Sequence, residues 1–324
     1  MAHQLVANQQ TGKIPFAFSG PRDAIWHGLG QGLDSGKNID QWVEEAGFNW
    51  RIEKSPAFYE RTDGVKTEFP GKVVLRRSDT EECLSIVTDK FKVVQPKDVL
   101  EFFRDLVEIH GMELSTAGIL YNGKSYWALA DIGKEAEIVQ GDKVKGQLLL
   151  TTSVDGMQST QAKIVSTRVV CANTLQVALK GGGRAVRVTH KQDFDAKKVK
   201  IEMGLIDKSW DGFIDNLKKL ASKPMSDSEL RDFVSGLYYD PSRAADSQAY
   251  GVDRLVESVI AKAKAGSGSD MHKGTRWGAL CGITESLTHI ESTRMTPETK
   301  FVSAYMGEAA DKKADAYLEL LMRA

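Results

Sequence analysis

Apolar positions along this 324-residue chain recur with two different periods. In NIDQWVEEAGFNW, Ile39, Trp42, Val43 and Ala46 fall three and four residues apart, with Asp40 early and Gly47 at the end, which predicts a short amphipathic helix. The period then drops to two. NWRIEKSPAFYE, KVVLRR and CLSIVT alternate or run with β-branched residues between Gly, Pro and Asp, as strands do. QPKDVLEFFRDLVEIHG returns to helical spacing through Val99, Leu100, Phe102, Phe103, Leu106 and Val107, with Pro96 at its start and Gly111 at its end. Four more strand patterns follow, MELSTAGILY, KSYWALADIG, VKGQLLLTTSV and QSTQAKIVS. They are joined by Asn-Gly and Asp-Gly, which tolerate the positive φ of tight hairpins, so an antiparallel meander is expected.

TRVVCANTLQVAL reads as the hand-over from meander to helix, with Val170, Leu175, Ala178 and Leu179 on an inward stripe and KGGGR as its stop. From Asp195 to about Leu220 one long helix is expected, carried by Val199, Met203, Ile206, Trp210, Phe213, Ile214 and Leu217. Everything from Ser226 onward reads as helices broken at DPSRAAD, GSGSD and TPET. The fold class is therefore α+β, a curved antiparallel β-meander with packed helices followed by a mainly helical C-terminal section. Residues 1–24 form a loose N-terminal arm that orders only by docking, 25–205 the sheet domain and 206–324 the helical section.

Composition narrows the function classes. A formal net charge of -1 means that attraction to a polyanion must come from uneven placement of charge. Three cysteines far apart (Cys83, Cys171, Cys281) give neither a disulfide framework nor a Cys-x-x-Cys pair, and no apolar run has the length of a membrane span. A soluble protein of a reducing cytoplasm is the expectation.

Candidate chemistry is sparse. Cys171 stands between Val169, Val170 and Ala172 as a small apolar side chain does; a nucleophilic role would need a base such as His190, nineteen residues on, which nothing local brings near. The six histidines include no His-x-x-x-His pair, His289 and Glu291 would ligate only by tertiary convergence, and DKSWDGFID lacks the ligand series of a calcium loop, so no metal is expected. HGLGQG and KGGGR lack the Gly-Lys-Ser/Thr of a P-loop, so no cofactor is expected and an ATP-driven mechanism is disfavoured.

One feature departs from the even charge. Between Lys180 and Lys200 lie Lys180, Arg184, Arg187, Lys191, Lys197, Lys198 and Lys200 with His190, against Asp193 and Asp195, an excess of five positive charges. Lys163 and Arg168 on the adjoining hairpin extend it, and Tyr121, Tyr126 and Trp127 offer rings for base stacking or for core packing. The candidate nucleic-acid contacts are therefore Lys163, Arg168, Lys180, Arg184, Arg187, His190 and Lys191. A solvated face with no partner is the alternative.

The stretches IWHGLG, AGFNWRIEKSPAF, SVDGMQSTQAKIVSTRVVCANTLQVAL, VRVTH and GTRWGALCGITESLTHI resemble the phage- and plasmid-encoded family catalogued as domain of unknown function 932, from about residue 25 to the C-terminus. RVVCANTL is the most specific signature and the WGAL block the second. The chain departs from the family pattern at Cys281, where Asn is expected, and at Thr288, where an acidic residue is expected. The resemblance implies a mobile-element origin and a bacterial host cytoplasm, and it leaves the function open. The order of elements also resembles the core of single-strand annealing recombinases. That likeness implies an ATP-independent, non-enzymatic protein that binds single-stranded DNA as a homo-oligomer during recombination. A factor binding a host or phage protein, without nucleic acid, is the alternative.

Overall fold

The computed structural model describes residues 14–20, 30–34, 36–168, 174–176, 185–203, 206–238, 245–289, 295, 299, 303–304 and 307–323, with the backbone alone at 168, 174–176, 201–203, 206–209 and 245–252. Its strands are β1 (Phe16–Ser19), β2 (Gln31–Leu33), β3 (Ile52–Glu60), β4 (Lys66–Arg77), β5 (Cys83–Thr88), β6 (Glu113–Leu120), β7 (Ser125–Val139), β8 (Asp142–Ser153), β9 (Thr160–Arg168), β10 (Thr174–Gln176) and β11 (Val186–Val188). Its helices are α1 (Ile39–Glu45), α2 (Pro96–Glu108), α3 (Ala196–Met203), α4 (Ile206–Ser222), α5 (Asp227–Tyr238), α6 (Ala245–Ala265), α7 (Arg276–Thr288) and α8 (Glu308–Met322). The protein is α+β, with helices dominating its C-terminal part.

The larger sheet runs in the order β10-β9-β8-β7-β6-β1-β2, with β11 also paired to β9, and β3-β4-β5 form a separate sheet. By contacts the chain divides into two units, one of Met1–Gly133, Leu148–Lys163 and Ala185–Gly204, the other of Lys134–Gln147, Ile164–Arg184 and Leu205–Ala324. This interleaving differs from the linear split at residue 205 expected from the pattern, because β7, β8 and β9 each contribute residues to both units.

The first unit is built around the β6/β7 hairpin. Antiparallel pairing runs from Glu113↔Asp131 to Leu120↔Ser125 and is closed by a one-turn helix, Tyr121–Gly123. There Tyr121, Asn122 and Gly123 take φ of 52°, 58° and 104°, the positive values for which the Asn-Gly pair is suited. Trp127 and Tyr126 are wholly buried; the Trp127 Nε1–H donates to Thr116 Oγ1 at 3.3 Å and the Tyr126 hydroxyl donates to the Val94 carbonyl. Trp127 fits because the residue opposite it is Gly118: a Cβ there would lie 2.3 Å from the indole ring. Phe16 packs on the same indole, ring centroids 5.6 Å apart. Phe16, Ala17 and Phe18 are buried as β1, antiparallel to β6 and parallel to β2. Part of the expected loose arm is thus a core strand, since three consecutive apolar side chains gain more by burial than the chain loses by being ordered.

Helix α2 follows its sequence signals. Pro96 opens it, Asp98 Oδ2 accepts from the Gln95 backbone N–H at 2.8 Å, and Val99, Leu100, Phe102, Phe103 and Leu106 form the buried stripe. In the second unit α7 is apolar on every side. Residues from Trp277 to Thr284 are all buried, as expected for a helix enclosed by α4, α6 and α8.

One local reading changes. Thr174–Gln176, expected in a helix, forms β10, whose partners are Val165–Thr167 on β9; the free edge of β9 offers the backbone a ladder, and the segment takes it. The helix expected from Asp195 is described as α3 and α4; Gly204 and Leu205 between them lie outside the described residues. Gly118→Ala should lower stability by about 1–3 kcal/mol through overpacking against Trp127. A shift of the urea midpoint to lower concentration checks this, and an unchanged midpoint would contradict the close approach.

Candidate functional site

The basic segment begins at β11, which pairs with β9 through Val186↔Ala162, Arg187↔Gln161 and Val188↔Thr160. Cross-strand partners share a face, and Lys163 follows Gln161 by two, so Arg187, Gln161 and Lys163 project to the same side. Their exposure differs. Arg187 is exposed, whereas Gln161 and Lys163 are buried, so Lys163 does not present its ammonium at the surface.

His190 is held by structure on every side. Its Nδ1 and Nε2 each lie 3.0 Å from a backbone carbonyl, of Lys92 and Gln158, and its ring stacks on Phe91 at 4.3 Å with 17° between planes. A carbonyl oxygen only accepts, so making both bonds at once requires the imidazolium form, while a neutral ring keeps one of them. The Lys92 backbone N–H donates to the His190 carbonyl at 2.8 Å, and Lys92 Nζ pairs with Asp193 Oδ1 at 3.1 Å. His190 therefore acts as a clamp that fixes the segment on the first unit. Lys200 is likewise engaged, by Asp105.

What remains is a smaller set. Arg187, Lys191, Lys197 and Lys198 are exposed and make no ion pair with any described residue. Of the other candidates, Lys180, Arg184 and the side chain of Arg168 lie outside the described residues, as does Cys171. Tyr126 and Trp127 belong to the core, and Tyr121 is exposed at the β6/β7 turn.

The second unit holds a group of side chains that no motif announced. Asp142 opens β8, His272 follows the one-turn helix Ser269–Met271, and Cys281 lies in the second turn of α7. One ligand-type atom from each lies within 4.8 Å of the others, and all three residues are at most 3% exposed. Local chemistry orients them: the Trp277 Nε1–H donates to Asp142 Oδ2 at 2.9 Å, and the Thr275 hydroxyl donates to the His272 carbonyl at 2.6 Å. Gly278 lets His272 approach α7, since a Cβ there would meet the His272 carbonyl oxygen at 2.5 Å. Spacing could not reveal the group, because Asp142 stands 130 residues before His272. Its donors are a thiol, an imidazole and a carboxylate, the set that borderline metal ions accept.

Further along the same unit Lys313 is completely buried, its Nζ donating to Thr288 Oγ1 at 3.1 Å. Desolvation pulls its pKa down to about 7.

A mainly antiparallel sheet followed by packed helices sets the chain among the α+β proteins, and no helix among the described residues is long and apolar enough to cross a membrane. It belongs to the family described as Domain of unknown function (DUF932), whose model matches residues 83–305, more than half of its length. That span includes the basic segment and all three residues of the buried group, and leaves out β3, β4 and Lys313. No curated protein and no solved structure matches the chain significantly.

The lysine gives a pH-dependent prediction. Between about pH 7 and the ordinary lysine value of 10.5, the unfolded chain holds a proton that folded Lys313 has released, so stability rises with pH across that window. Below it the folded protein carries a buried ammonium and the penalty is greatest. Lys313→Met should therefore raise the urea midpoint at pH 6 and raise it progressively less toward pH 10. A gain that does not vary with pH would contradict the assignment.

Proposed function

We propose that the protein binds single-stranded nucleic acid through Arg187, Lys191, Lys197 and Lys198, and serves as an ATP-independent strand-annealing accessory of phage recombination. The observation that carries this reading is that four exposed cations, with no carboxylate partner among the described residues, fall within twelve residues of a chain whose net charge is -1. Such cations attract a phosphate backbone because binding releases its condensed counterions. Anchoring by His190 and Lys92 supports the reading further, since a segment fixed in place loses little freedom on binding. Four phosphate contacts per chain make weak binding, so annealing along a strand calls for several copies whose contacts add.

A second reading, a protein-interaction factor, is favoured by the three-stranded sheet. Phe58, Tyr59, Val65, Phe69 and Ile86 are each between 47% and 62% exposed there, an apolar set of the kind that partners cover.

Filter retention of a labelled single strand across a salt series separates the two. Four contacts to a single strand give a log–log salt slope of about -2.8, roughly a 50-fold loss of affinity between about 50 and 200 mM salt. Arg187→Glu with Lys191→Glu should weaken retention and flatten that slope. Absence of retention at about 50 mM salt, or retention indifferent to these substitutions, would exclude the nucleic-acid reading.

A further inference from the structure

We infer that Asp142, His272 and Cys281 form a binding site for a borderline divalent transition metal, zinc being the natural occupant. Three separate segments of the second unit bring one oxygen, one nitrogen and one sulfur donor within 4.8 Å of one another. Tetrahedral donors around zinc lie about 3.3–3.7 Å apart, given bonds of about 2.0–2.3 Å, so side-chain rotation of roughly an ångström closes the set on an ion. Charge also fits. A carboxylate, a thiolate, a neutral imidazole and a dication sum to zero, the balance that burial favours. The sulfur donor disfavours magnesium and calcium, which take oxygen.

The surroundings have the features of a metal's outer shell. The indole N–H of Trp277 fixes one carboxylate oxygen, as the partners of ligating carboxylates do, and the Trp277 ring stands edge-on to the His272 imidazole at 6.4 Å. Thr275 holds the His272 backbone, and its Oγ also caps α7 by accepting from the Gly278 N–H at 3.1 Å. The same three residue types could make a nucleophilic thiol with its base and orienting acid. Cys281, however, is 2% exposed in a helix buried along its length, where no substrate could meet it. Metal binding needs no such access once the unit has closed around the ion, and it would tie the start of β8 to α7 at the centre of the unit.

The test uses the full chain, stripped of metal with a chelator and titrated with cobalt(II) and then zinc. Cobalt should saturate at one equivalent, with thiolate-to-metal charge-transfer absorption and the intense visible bands of a tetrahedral site. Zinc should bleach both by displacing cobalt, and added alone to the stripped chain it should release the thiol proton and raise the melting temperature. Cys83→Ser with Cys171→Ser leaves Cys281 as the one thiol and should keep the full signal, whereas Cys281→Ser should lose the charge-transfer absorption. Should Cys281→Ser not fold, the first two titrations still decide. A wild-type chain with neither thiolate–cobalt absorption nor a metal-dependent melting shift would overturn the proposal and leave an Asp142–His272 ion pair beside a thiol. Retention of nucleic acid plays no part in these readouts, so either proposal can fail alone.

Discussion

Any ionisable side chain closed off from water must acquire a counter-charge or surrender its own, and this constraint sorts the charged residues of the protein. Arg77, buried in the first unit, is held by both oxygens of Asp79 at 2.7 and 2.9 Å and lies 4.0 Å over the Trp50 ring. Lys313, buried with its Nζ donating to Thr288 Oγ1, gives up much of its proton affinity to desolvation. Asp142 receives the indole of Trp277 and faces an imidazole and a thiol. Such groups specify structure. Charges left outside with no partner are the ones a ligand can use, and among the described residues of the basic segment Arg187, Lys191, Lys197 and Lys198 pair with no other described residue.

The same sorting explains how much was legible in the sequence. Elements with a clean period were read where they stand: α1, α2 and β6 to β9 follow directly from the spacing of their apolar residues. Elements decided by a distant partner were not. Thr174–Gln176 is a strand because β9 presents an edge, and Phe16–Ser19 is a core strand because β6 lies beside it. Neither pairing is written in the local pattern.

For the candidate site the basic excess was visible as composition, but composition does not tell an exposed lysine from a buried one. Lys163, His190 and Lys200 were drawn inward by burial, two carbonyls and Asp105 respectively. The mixed-donor group could not be seen at all. Cys281 sits among apolar neighbours, His272 lacks a partner at metal-binding spacing, and nothing marks Asp142, at the first position of a strand, as inward-facing. Gly278 was the one local trace, a glycine in the first turn of a helix where a β-carbon would collide with His272.

Both proposals then rest on one physical distinction, with exposed cations offered to a polyanion and enclosed donors offered to a metal ion. Lysine acetylation followed by mass spectrometry tests that distinction directly, performed on the native protein with and without a single-stranded oligonucleotide. Lys191, Lys197 and Lys198 should label fast and become protected by the strand, while Lys163 and Lys313 stay slow throughout. Labelling of Lys163 or Lys313 as fast as Lys191, or no protection of the three exposed lysines, would contradict the account.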